Sequence, residues 1–156
     1  MSAIGVSNFD KRQLQELLMM TDTKPGLLQN WMDPFHQDKE VRSLCREHGV
    51  AYMAYSTFGT QWTHKRGENP VFASETLQAI AAAHSSARDA KTVSDVVISW
   101  AVQEGVVVLP RSTQEAHIAD NAEVLPAAGR TEYATFLSDD DMTTIRALDG
   151  SIGSLW

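Results

Sequence analysis

Cysteine occurs once in this chain, at position 45, which excludes an internal disulfide and suits a reducing compartment such as the cytoplasm. Tyrosine is nearly as sparse, so a reaction that needs a phenolic acid has only Tyr52, Tyr55 and Tyr133 to draw on. No apolar run approaches the ~18 residues of a membrane span, and no basic stretch leads into an apolar run near the N-terminus. Positive charge is also short: 13 Lys and Arg against 20 Asp and Glu leave a net charge of −7. That deficit removes a general attraction to nucleic acid or an anionic membrane, so any bound anion needs a local site. The five histidines show no HxxxH or similar spacing, and no metal is expected.

What is present suffices for a core. A chain of 156 residues, 43% of them hydrophobic, fits one domain. A domain of this size buries roughly 68–70% of the surface its unfolded form exposes. Short apolar runs alternate with segments of helical period. AIGVS (3–7), LLQNW (27–31), VAYMAYS (50–56) and VVVLP (106–110) read as strands, the last so rich in β-branched residues that it calls for burial on both faces. DKRQLQELLMM places Leu14, Leu17 and Leu18 on one helical face. DKEVRSLCREHG carries a stripe of Val41, Leu44 and Cys45 that stops at Gly49. A loop holding Gly59, Gly67 and Pro70 precedes two further helices, SETLQAIAAAH and TVSDVVISWAVQE. A helix from Ser112 is expected to open on a capping box with Glu115, and Ser138 with the acids at 139–141 suits the start of a last helix. The order βαβαβ(αα)βαα predicts an α/β fold with four parallel strands and right-handed crossovers.

In such folds ligands gather at the carboxyl ends of the strands. Those ends hold Ser7 and Asn8, Gln29 and Asn30, Tyr55 and Ser56, and Pro110 with Arg111 and Ser112. Amides pair with an amide, an aromatic ring stacks on a flat heterocycle, and Arg binds phosphate. Together they describe a nucleotide site, although polar residues also collect at strand ends because loops begin there. Tyr55 shares parity with Met53 and should face inward, with Tyr52 and Ala54 turned to the helices. The HKRG run at 64–67 reads either as a basic flap over a phosphate or as a solvated loop. Trp31, Trp62 and Trp100 read as packing, and Cys45 as an inert core thiol.

The motifs IGVSNF, LLQNWMDPF, AYSTFGTQW and VVVLPRSTQEAHIADN, in this order, resemble the second half of the aldo-keto reductases, NADP-dependent oxidoreductases built on a TIM barrel. The resemblance runs from Ala3 to about Gly150 and treats residues 1–156 as the C-terminal half of such a domain. It implies that Ser7, Asn8 and Gln29 bind the nicotinamide carboxamide, that Tyr55 stacks under the ring, and that Ser56 and Phe58 meet the pyrophosphate. It assigns the 2′-phosphate of NADP(H) to Arg111 and Ser112, and the adenosine end to Asp120 and Asn121. His117 departs from the pattern, since many members carry Arg there, and an imidazole contributes less charge.

The family reduces aldehydes and ketones with a catalytic Asp, Tyr, Lys and His set that belongs to its first half. No catalytic residue is assigned here. None of the three tyrosines has a Lys and a His placed to converge with it, so the chain is expected to be inactive alone. Met1 and Ser2 stand where the first strand would already be under way, and the tail stops at Trp156. A truncated product or fragment is therefore expected over an evolved half-barrel. Open sheet edges would be closed by a homodimer or by pairing with a first-half chain. The alternative is a non-catalytic nucleotide-binding or interaction scaffold.

Overall fold

The computed structural model describes residues 3–87, 89–124 and 133–155; Met1, Ser2 and Trp156, which bear on the expectations about the chain's ends, lie outside them. Strand β1 (Gly5–Ser7) leads to helix α1 (Lys11–Met20), β2 (Leu27–Trp31) to α2 (Lys39–His48), and β3 (Ala51–Tyr55) to α3 (Thr60–Arg66), α4 (Pro70–Ala73), α5 (Glu75–Ala83) and α6 (Val93–Gln103). Strand β4 (Val107–Val108), α7 (Glu115–Ala122) and α8 (Asp139–Arg146) follow. The four strands lie side by side in chain order, all parallel. The register sets Ser7 beside Gln29, Gln29 beside Met53, and Met53 beside Val107, so these four side chains share one face.

The helices cover the opposite face. Leu28, Tyr52 and Ala54 point into it and are buried with Leu14 of α1, Leu44 and Cys45 of α2, and Val97 and Trp100 of α6. The parity assigned to Tyr52 and Ala54 holds. Helix ends follow local chemistry: Asp10 with Gln13, Thr92 with Asp95, and Ser138 with Asp141 form reciprocal caps over α1, α6 and α8. Gly49 ends α2 in the left-handed region at φ 69°, where its N–H satisfies two carbonyls of the last turn. An ionic hub ties three helices: Arg42 of α2 reaches Glu104 at 2.5 Å, and Arg146 of α8 reaches the other oxygen of that carboxylate at 2.6 Å.

Three expectations need correction. The 106–110 run is a strand only at Val107–Val108 and is not buried on both faces: Val107 is 46% and Leu109 43% exposed, because the helices pack on the other side of the sheet. The segment from 57 to 73 is not a plain loop but holds α3 and α4, since Asn69 caps α4, Pro70 starts it, and Trp62 buries against the core. Ser112 does not box with Glu115. Its hydroxyl accepts the N–H of Gln114 at 3.0 Å in a tight turn, and α7 begins after Gln114 with no side-chain cap.

Candidate functional site

The rim is built where β1, β2 and β3 end. Asn8 leaves β1 with φ 59° and Ser56 leaves β3 with φ 55°, left-handed conformations that cost a non-glycine residue about 1 kcal/mol each and concentrate at functional sites. Their neighbours hold them there. The Tyr55 hydroxyl donates to Asn8 Oδ1 at 2.8 Å, the Asn8 N–H donates to the Gln29 carbonyl at 2.9 Å, and Ser7 Oγ donates to the same carbonyl at 3.0 Å. Gln29 directs its amide N–H at the Met53 thioether, 3.3 Å away, a weak acceptor that a better one would displace. Partial burial pushes the Tyr55 phenol above its usual value, so the ring stays neutral and its hydroxyl remains a donor. The structure thus brings Ser7, Asn8, Gln29 and Tyr55 together. Asn30 does not join them: pleat parity turns it to the helix side, where its amide donates to the Phe9 carbonyl and to Asp38, both at 2.9 Å.

A groove leads away from Tyr55. Its first chamber, about 630 Å³, runs past Ser56, Phe58 and His64 to Arg111 and Ser112. A second, about 500 Å³, shares Phe58, Thr60, Arg111 and Ser112 with the first and continues to His117, Asp120 and Asn121. The chambers differ in charge: the first has Arg111 and no carboxylate in its walls, whereas the second carries Asp95 and Asp120 with the rings of Phe58 and Phe72. The first also contains Thr57, whose buried hydroxyl has no hydrogen-bond partner among the described residues. The turn between β3 and α3 depends on Gly59. At φ 77°, a Cβ there would come within 2.5 Å of Asn69 Oδ1 and 2.7 Å of Val71 Cγ2.

The HKRG run lies on α3 and its Gly67 cap, with its members divided. His64 lines the first chamber. Arg66 turns away, donating to the carbonyls of Ile152 and Ser154 and lying over the Trp62 ring at 4.9 Å. Trp62 is core, as expected, and its indole N–H donates to Asp33. Thr57 and Gln61 were not picked out from the sequence. Gln61 Nε2 donates to Ser56 Oγ at 3.3 Å and braces the left-handed turn. The signal for Gln61 was its i,i+3 spacing with His64, visible only once 60–66 is read as a helix. Burial pushes the Cys45 thiol up to about 11, as fits an inert core thiol. Among the described residues no cluster of three His, Cys, Asp or Glu could hold a metal, and no helix is long and apolar enough to cross a membrane.

Parallel βα units with amides, a ring and an arginine along one groove at the strand ends give the chain the architecture of a half-barrel. The chain belongs to the aldo/keto reductase family, whose model matches residues 1–149. It is 30% identical over 150 residues to aldose reductase B of Dictyostelium discoideum, covering 96% of this chain and 42% of that protein. It is 33% identical over 147 residues to glyoxal reductase of Bacillus subtilis, covering 94% and 46%. An aldo-keto reductase of the silkworm Bombyx mori, solved in complex with NADPH, superposes with a TM-score of 0.76 at 25% identity over 94% of this chain and 42% of that one. The aldo/keto reductase of Brucella melitensis gives 0.72 at 27% identity, over 94% and 48%. This chain spans about half the length of these relatives, as a half-barrel beside full (β/α)8 barrels.

Proposed function

We propose that residues 1–156 form the C-terminal, NADP(H)-binding half of an aldo-keto reductase domain that acts on aldehydes or ketones. The observation that carries this reading is the continuous groove from Tyr55 past Arg111 to Asn121 along the strand ends. The residues fit the cofactor: the first chamber, with Arg111, hydroxyls and one amide in its walls, has no carboxylate among the described residues that line it. When bound, the reduced nicotinamide supplies hydride. Ser7, Asn8 and Gln29 orient its carboxamide, Tyr55 supports the ring, and Ser56 and Phe58 border the pyrophosphate. Arg111 and Ser112 select the 2′-phosphate, and His117, Asp120 and Asn121 receive the adenosine. The test is Arg111→Ala, which should weaken NADPH about 10- to 100-fold, as loss of a charged phosphate contact does, and NADH far less. Equal loss for both nucleotides removes the 2′-phosphate assignment.

The proton donor has to come from elsewhere. Tyr52 is buried with its hydroxyl on Asp38 at 2.7 Å, and burial, then Asp38, push its phenol far up. Tyr55 is bound to Asn8, and Tyr133 is exposed and lines neither chamber of the groove. Pairing with a first-half chain would supply the donor, whereas a homodimer, carrying the same tyrosines, would close the barrel without one. The chain alone should bind NADPH and show no aldehyde-dependent NADPH oxidation. Turnover by the isolated chain would overturn this assignment.

A further inference from the structure

We infer that this chain pairs with a second copy of itself, the β1 edge of each against the β4 edge of the other, closing two four-stranded sheets into one eight-stranded parallel barrel. The inference does not draw on the nucleotide reading. Among the described residues β1 pairs only with β2 and β4 only with β3, so both flanks of the sheet offer backbone groups to a further strand. Between those edges the inner face carries Leu27, Met53, Val107 and Leu109 on the side away from the helices. The chain exposes 9471 Å², whereas a compact monomer of its 17.2 kDa mass exposes about 7,800 Å². The excess of about 1,700 Å² is larger than the ~800 Å² that each partner buries in a standard stable interface.

The two flanks complement each other and not themselves. Beside β4 lies an apolar trough of about 260 Å³ lined by Val102, Val106, Val108, Val124 and Tyr133. Helix α7 runs down to it, and among the described helices α7 alone buries no residue: Ile118 is 54% exposed, one turn before Ala122 on the same face. The β1 flank protrudes instead. Leu14 turns α1 into the core, and Lys11 and Gln15 face α2 across a shared cleft. That leaves Gln13, Leu17 and Met20 on the side away from α2, with Met20 83% exposed. A flexible methionine suits an irregular apolar trough. Two α7 flanks face to face would set Glu115, Asp120 and Glu123 against the same acids, with no Lys or Arg on the helix to offset them. The row of Gln13, Leu17 and Met20 is uncharged and meets α7 without that repulsion. The sheet overlays about half of a full (β/α)8 barrel, so it has the curvature at which two copies close a ring instead of extending an open filament. Closure seals both edges through two equivalent contacts and turns the inner faces toward each other.

Sedimentation of the 156-residue chain across a concentration series should show the monomer giving way to a species of twice its mass. Lost translational and rotational freedom offsets much of the burial, so half-association is expected at about 10–100 µM. In more dilute solution the monomer unfolds with its inner face in water. Met20→Asp and Ile118→Asp, at exposed positions that leave the fold of the dilute chain unchanged by circular dichroism, should each raise the half-association concentration about 10-fold or more. Met19→Asp, on the outward face of α1 and 79% exposed, should shift it by no more than about twofold. With Cys45 buried, a short bis-maleimide should join Met20→Cys of one chain to Tyr133→Cys of another in a mixture, and should join neither variant to itself. A chain that stays monomeric at about 500 µM, well above that range, overturns the proposal, as do open-ended polymers, equal losses from Met19→Asp and Met20→Asp, or Tyr133→Cys chains that cross-link to one another.

Discussion

The two faces of the one sheet differ more than any two elements of the fold. On the helix side Leu28 and Ala54 have no solvent exposure, whereas one residue away along the chain or across the register Val107 and Leu109 stand 46% and 43% exposed. The same alternation that finishes one side leaves the other open. Stability therefore resides on the helix side, where side chains interlock. The candidate site lies at the strand ends, where Asn8 and Ser56 are held in left-handed backbone and where the Thr57 hydroxyl has no partner among the described residues.

The largest expected effect is loss of the ionic hub on the packed side. The side chains of Arg42 and Glu104 are 5% and 11% exposed, so Arg42→Ala leaves a largely buried carboxylate with Arg146 as its remaining cation and should cost about 3 kcal/mol in urea unfolding, the low end for a broken buried pair. Its pH signature has a defined sign. Burial pushes the Glu104 carboxyl up, but the guanidinium groups of Arg42 and Arg146 outweigh it and hold the group below its ordinary value. The hub's contribution is thus present above the unfolded carboxylate pKa and lost as pH falls through the lower folded one, and Arg42→Ala should flatten that acid limb. Leu28→Ala, at a fully buried strand position, should cost about 3 kcal/mol. A loss under ~1 kcal/mol at either position would mean that the packed face does not carry the fold.

A slightly smaller effect is expected at Asp33, which has no exposure and accepts N–H groups from Trp31, Trp62, Phe35 and His36. Burial pushes its carboxyl from 3.8 up to about 6 in spite of those four donors. Because the folded state then holds a proton that the unfolded state has released, this group should make stability fall as pH rises from about 4 to about 6, by about 2–3 kcal/mol. Asp33→Asn should remove that slope. An unchanged slope would place the titration on another group.

Much of this could be read from residue order. LLQNW gave the bounds of β2 without error, and the Ser138 cap followed from its acids, because both depend on neighbours in the chain. The groove residues Tyr55, Arg111 and Asn121 were legible from their motifs. Other features depend on distant contacts. Helix α3 was hidden because its Trp62 and Arg66 are satisfied by Asp33 and by the carbonyls of Ile152 and Ser154. The displacement of Asn30 from the rim follows from strand parity, which turns it to the face opposite Gln29, whereas its position at the strand end points the other way. The exposure of Val107 contradicted its composition because β-branched content signals burial only where a second layer exists to provide it.

The smallest expected effect tests the open face most sharply. Leu109→Ser and Val107→Ser remove apolar surface that is already nearly half in water, so each should change the unfolding free energy by no more than about 0.5 kcal/mol. The comparison with Leu28→Ala, a residue of similar size one face away, then reads the packing difference directly. A loss above ~1.5 kcal/mol at Leu109 would mean that something covers the inner face of the chain in solution. Its source is separable by dilution, because stability drawn from a second copy falls with protein concentration while stability drawn from within the chain does not.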